Sequence, residues 1–104
     1  MEQQQTSSNV RVRTQVKIKE PKKHKVLIFD DNVTPYEFVL IVLKVIFFID
    51  IEKGKEIANN AQTNGSAVVG EYPLDIARSK VNKATSMAQN FGCPLKFKIE
   101  DSED

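Results

Sequence analysis

The chain has 104 residues, a formal net charge of +1, one Cys (Cys93), one His (His24) and no Trp. That length allows a single domain; the lone Cys excludes an intramolecular disulfide and a Cys-based zinc site, and the lone His excludes a metal site that needs two. The longest apolar run, residues 38–49 interrupted by Lys44, falls well short of the ~20 residues of a membrane-spanning helix, so a soluble domain is expected.

The near-neutral total hides an asymmetry. Residues 1–25 carry seven Lys/Arg against two acids, and the remainder carries eight against twelve, with four acids in the last five positions. A basic leader thus precedes a mildly acidic domain, which argues against a nucleic-acid face on the folded part. Residues 1–22 read as a disordered extension, because Gln3-Gln4-Gln5 and Thr6-Ser7-Ser8-Asn9 are polar and of low complexity. Val10, Val12, Val16 and Ile18 alternate as in a strand but face no evident partner. No apolar stretch of about 7–15 residues marks a secretory signal. Arg11 and Arg13 near Ser and Thr are faint marks of a transit segment, offset by Glu2 and Glu20.

The domain is expected over residues 23–104. Residues 25–29 form an apolar, β-prone run that stops at Asp30-Asp31-Asn32, a strand followed by a turn. Thr34, Pro35 and Glu37 have the spacing of an N-cap, a first helical residue and a capping-box partner, and Val33 and Phe38 that of a hydrophobic staple. The helix so started continues through Phe47. It is apolar on nearly every side, which predicts that it is covered on most of them. Asp50 is a cap for a second helix through about Thr63, weakened at Gly54 by roughly 1 kcal/mol relative to Ala and ended by Asn64-Gly65.

Ala67-Val68-Val69 is a second short strand ended by Gly70. Pro73 opens a third helix with Ile76, Ala77, Val81, Ala84, Met87, Ala88 and Phe91 at helical spacing, stopped by Gly92 and Pro94. Residues 95–99 alternate as a half-buried third strand. The order β-α-α-β-α-β, with so few strands, predicts an α+β domain in which a small three-stranded antiparallel sheet packs against three helices.

Taken alone, most of the chemistry-bearing residues have plain structural readings. Asp30-Asp31-Asn32 is the composition of a solvated turn, Thr34 and Glu37 are explained as caps, His24 is expected at the surface, and Cys93 as a small buried apolar side chain. An acidic pair after a first strand also occurs in phosphoacceptor receiver domains, with Asp75 as the acceptor. That alternative lacks the five alternating strand–helix units such a domain needs.

The segment Val26-Leu27-Ile28-Phe29-Asp30-Asp31-Asn32-Val33-Thr34-Pro35-Tyr36-Glu37-Phe38-Val39, with the Gly65-to-Gly70 spacing and Cys93-Pro94-Leu95, resembles the ClpS family of Clp protease adaptors. The resemblance runs colinearly over residues 23–100. It implies a non-enzymatic adaptor without cofactor or metal. Such an adaptor binds proteins by a destabilising N-terminal residue, usually Leu, Phe, Tyr or Trp, and delivers them to the N-domain of a Clp-family AAA+ ATPase. A monomer is expected, in the bacterial cytoplasm, or in an organellar stroma or matrix if residues 1–22 are a targeting segment.

Carried over by position, Asp30, Asp31, Asn32 and Gln62 bind the N-terminal amine. Thr34, Tyr36, Val39, Ala58, Ala61 and Leu95 line the apolar pocket, and Asp75 and Lys80 face the ATPase together with the basic stretch at residues 10–25. The chain departs from the family pattern at five positions. Asp30 and Asn32 exchange the usual Asn and Asp, Gln62 replaces a His, Ala58 replaces a larger residue, and Tyr36 replaces a Met. These changes imply a pocket of altered shape and binding that is flat from about pH 6 to 7.5, because no pocket group has an ordinary pKa there. A relative that docks on the ATPase without holding such substrates remains the alternative within the family.

Overall fold

The computed structural model describes residues 21–101. These form strand β1 (Lys23–Phe29), helices α1 (Tyr36–Phe47) and α2 (Ile51–Asn64), strand β2 (Ser66–Pro73), helix α3 (Leu74–Asn90) and strand β3 (Lys96–Glu100). Among the described residues, β1 is the centre of one three-stranded sheet, antiparallel to β2 on one side and to β3 on the other. This is the expected α+β arrangement. It is not the parallel βα layering of a receiver domain, and Asp75 stands exposed at the end of the sheet opposite Asp30 and Asp31. The expected disordered extension lies, through residue 20, outside the described residues, as does the Val10-to-Ile18 alternation.

The core forms where three amphipathic helices cover the sheet. Val26 and Ile28 alternate inward from β1, Phe38, Val42, Leu43 and Phe47 from α1, Ile57 and Ala61 from α2. Ala77, Ala84 and Ala88 of α3 are fully or almost fully buried, so small side chains let this helix lie close on its neighbours. The Phe47 ring stands 5.5 Å from Phe97 and 6.2 Å from Tyr72, both tilted, a spacing favourable for aromatic pairs. Each fully buried Leu, Ile, Val or Phe side chain contributes about 1.5–3 kcal/mol.

Helix ends were legible where the signal is local. Asp50 caps α2 by accepting from the Lys53 N–H at 2.8 Å, and Gly65 ends it with φ 89°, a conformation glycine adopts without steric cost. The start of α1 differs from expectation. The helix begins at Tyr36, Pro35 holds the N-cap position with extended backbone, and no side chain caps it. The Thr34 hydroxyl is committed to Asp31 instead. Val33 is 67% exposed, so no staple forms.

The strands are longer than their local patterns. β1 starts two residues earlier, at Lys23, because Lys23 and His24 pair with Pro73 and Tyr72. Gly70 does not end β2. The register shifts between Val26 and Leu27, an irregularity of the kind where strand glycines occur, and a Cβ on Gly70 would stand 2.8 Å from the Tyr72 hydroxyl. The third strand begins at Lys96, leaving Leu95 buried just before it.

Three further expectations are corrected. α1 is not covered on most sides, since Ile41 and Val45 are 49% and 53% exposed and Phe48, at φ 58°, is 79% exposed. His24 is partly buried, with Nδ1 3.8 Å from Asp101 Oδ1. Cys93 is only half-buried, its thiol 3.8 Å from the Phe91 carbonyl.

Candidate functional site

The turn between β1 and α1 is organised by one carboxylate. Asp31 Oδ1 accepts from the Val33 N–H at 2.8 Å and the Thr34 N–H at 2.6 Å, while Oδ2 accepts from the Thr34 hydroxyl at 2.8 Å. An aspartate reaching forward two and three residues is the local chemistry that competes with helix formation, which is why α1 starts only at Tyr36. Burial pushes the Asp31 carboxyl up, but the Thr34 N–H, the Thr34 hydroxyl and the Val33 N–H outweigh it and hold the group below its ordinary value. It is therefore ionised at neutral pH. A carboxylate offers about four lone-pair sites; three are taken, and the open one is on Oδ2.

Asp30 is anchored through its backbone, whose N–H donates to the Gly65 carbonyl at 3.0 Å. That bond ties the turn to the C-terminus of α2. The turn thereby becomes the rim of a cleft of about 410 Å³, part of it open to solvent. Tyr36 and Val39 line it from one face of α1, and Ala58, Ala61 and Gln62 from one face of α2, spacings that place side chains together on a helix surface. Leu95 closes it from the segment before β3. The Tyr36 hydroxyl reaches Asn59 Oδ1 at 3.4 Å across the gap between the helices.

The fold thus brings together nine of the ten expected residues, Asp30, Asp31, Gln62, Thr34, Tyr36, Val39, Ala58, Ala61 and Leu95; the tenth, Asn32, is exposed and does not line the cleft. Two lining residues, Ile28 and Phe29, are not singled out by sequence reasoning. Their signal is their place at the end of the strand that feeds the turn. Among the described residues no three His, Cys, Asp or Glu side chains are grouped to hold a metal ion. The site joins fixed negative oxygens to an apolar hollow, an arrangement suited to a cation carrying an apolar side chain.

The sequence model of one protein family, described as ATP-dependent Clp protease adaptor protein ClpS, matches residues 19–98. The chain belongs to the ClpS family. It is 41% identical over 88 residues to the ATP-dependent Clp protease adapter protein ClpS of Leptospira biflexa, covering 85% of this chain and 78% of that protein. It is 39% identical over 87 residues to ClpS 2 of Agrobacterium fabrum, covering 84% of each. The solved structure of Agrobacterium tumefaciens ClpS2 bound to L-phenylalaninamide superposes with a TM-score of 0.76 at 38% identity, over 80% of this chain and all of that one.

The two remaining candidate residues of this ClpS-family chain lie elsewhere. β1 and β2 run antiparallel, so the turn at Asp30 and the start of α3 occupy opposite ends of the sheet. There Asp75 is exposed and accepts from the Ile76 N–H at 2.9 Å. Lys80 is not a loose surface charge. Its ammonium donates to the Ile46 carbonyl at 3.0 Å and sits 4.6 Å from the Phe48 ring centroid and 5.4 Å from that of Tyr72. A cation at a helix C-terminus complements the unsatisfied carbonyls there.

Proposed function

We propose that this chain is an adaptor that holds proteins by a free N-terminal residue and presents them to a Clp-family ATPase. The observation that carries this reading is Asp31: an ionised carboxylate, locked by three hydrogen bonds, with one lone pair open at the rim of an apolar cleft. The ligand of the Agrobacterium tumefaciens relative supports it, because phenylalaninamide combines a free α-amine with an aromatic side chain.

In this mechanism the substrate ammonium donates to Asp31 Oδ2, with Asp30 and the Gln62 carbonyl as further acceptors. The side chain enters between Thr34, Tyr36, Val39, Ala58, Ala61 and Leu95. A hydrogen bond to a charged group contributes roughly 1.5–3 kcal/mol net, and burying a Leu or Phe side chain about the same. Neither alone offsets the cost of association, so both amine and side chain are required. Asp75 and Lys80, at the far end of the sheet, face the ATPase N-domain, which keeps the substrate and ATPase surfaces apart. The domain unit is residues 23–104, acting as a monomer, and the basic stretch at residues 10–25 contributes to delivery.

The test is fluorescence anisotropy with peptides that differ only in the first residue, each with its amine free and acetylated. Leu- and Phe-initiated peptides with a free amine are expected to bind, and Ala-initiated or acetylated ones to bind at least tenfold more weakly. Equal binding of free and acetylated peptides overturns the reading.

A further inference from the structure

A second cleft, of about 430 Å³ and open to solvent, adjoins the first. It is lined by Phe29, Asp30, Asp31, Pro94 and Lys96. Phe29, Asp30 and Asp31 belong to both clefts, so the carboxylates proposed to take the amine form the wall between them. Lys96 is the first residue of β3 and the sheet partner of Phe29. Its backbone is therefore held beside the turn by the β1–β3 ladder. Its side chain is exposed, and among the described residues no carboxylate stands within ion-pair distance of its ammonium.

We propose that this second cleft is a subsite for the residue that follows the bound N-terminal residue, and that Lys96 gives it a preference for an acidic side chain. The proposal rests on the N-terminal reading above and extends it by one residue. An α-amine and the carbonyl that leads to the next residue share one carbon. With the amine on Asp31 and the side chain in the first cleft, the chain continues from the wall that the two clefts share. The substrate ammonium offsets one of the two carboxylates there. Lys96 is the one cation lining the second cleft, and a Glu or Asp side chain at the second position pairs with it. A Lys or Arg at that position meets Lys96 as a like charge.

The experiment uses the full chain and three free-amine peptides beginning Phe-Glu, Phe-Ala and Phe-Lys, otherwise identical, with acetylated controls. The wild-type chain is expected to bind Phe-Glu about two- to fivefold more tightly than Phe-Lys at low ionic strength, the range of an exposed ion pair, with the difference shrinking as salt is added. Lys96→Ala removes the difference and Lys96→Glu reverses the order; circular dichroism confirms that both variants are folded. The subsite is refuted if the order is the same in the wild type and in Lys96→Glu while acetylation still abolishes binding. If no free-amine peptide binds better than its acetylated control, the N-terminal reading fails and the subsite with it.

Discussion

The Thr34 hydroxyl donates to Asp31 Oδ2 at 2.8 Å, while the Thr34 N–H donates to the other oxygen of the same carboxylate at 2.6 Å. One residue thus grips both oxygens and sets the orientation of the group proposed to meet the substrate amine. Thr34→Val keeps the shape and the backbone bond but removes the hydroxyl. The expected result is a loss of about 0.5–1.5 kcal/mol in stability, read from urea midpoints, and weaker binding of a Phe-initiated peptide. Asp31→Asn keeps the shape and removes the charge. It is expected to weaken that binding about ten- to a hundredfold, and wild-type affinity in Asp31→Asn contradicts the assignment.

The same carboxylate sets a pH dependence of stability. Its pKa in the folded state lies below the ordinary value, so the unfolded chain binds a proton there more readily than the folded one. The contribution to stability is complete above the unfolded value of about 3.9 and is lost as pH falls through the lower folded value. Urea unfolding between about pH 6 and pH 2.5 checks the sign. The wild type is expected to lose stability relative to Asp31→Asn as the pH falls, and parallel curves for the two proteins contradict it.

Binding has a different pH profile. Gln62 lines the cleft where it does not titrate, and Asp31 stays ionised far below neutrality. The group that changes charge near neutrality is the substrate α-amine, with an ordinary pKa of about 7.7–8.0. Affinity is expected to stay within about twofold from pH 6 to 7.5 and then to fall as the amine deprotonates. Gln62→His introduces a titration near pH 6.5, visible as a step in affinity that the wild type lacks.

Gly54 is buried in α2, yet a Cβ added to it meets only the Leu40 and Leu43 side chains, at 3.5 and 3.8 Å. Those are ordinary contacts. Gly54→Ala is therefore expected to stabilise the domain by about 0.5–1 kcal/mol, through lower entropy of the unfolded chain and higher helix propensity. An unchanged or lower melting temperature indicates that the α1–α2 contact does not accommodate the methyl group.

Lys80 links folding to the proposed ATPase surface. Its ammonium closes the Ile46 carbonyl from a residue 34 positions away and lies over the Phe48 and Tyr72 rings. Lys80→Ala is expected to cost about 1–2 kcal/mol in stability, whereas Asp75→Ala, at an exposed carboxylate bonded only to its neighbour's N–H, is expected to stay within about 0.5 kcal/mol. Equal stability of the two variants, measured by chemical denaturation, contradicts this division. Asp75→Ala is consequently the cleaner probe of ATPase docking.

Much of this architecture is written locally. Asp50 and Gly65 bound α2 as their types suggest, and the acidic turn before Pro35 marks the place where the site forms. The local signal misleads at Thr34: its hydroxyl donates to the Asp31 carboxylate three residues back, which holds the side chain in the turn, and it caps no helix N–H. β2 is underestimated for the opposite reason, since Gly70 reads as a stop until β1 lies beside it and pairs through to Pro73.

Caps and turns depend on residues within about four positions of one another, and the amino-acid order decides them at Asp31, Asp50 and Gly65. The cleft depends on Phe29, Val39, Ala58 and Leu95 meeting from four different segments, and the Lys80 contact on a carbonyl in another helix. No spacing rule encodes such meetings, because they exist only once the helices have packed on the sheet and excluded water between them. That packing makes an ordinary acidic turn the wall between a largely apolar cleft and a second one lined by Lys96.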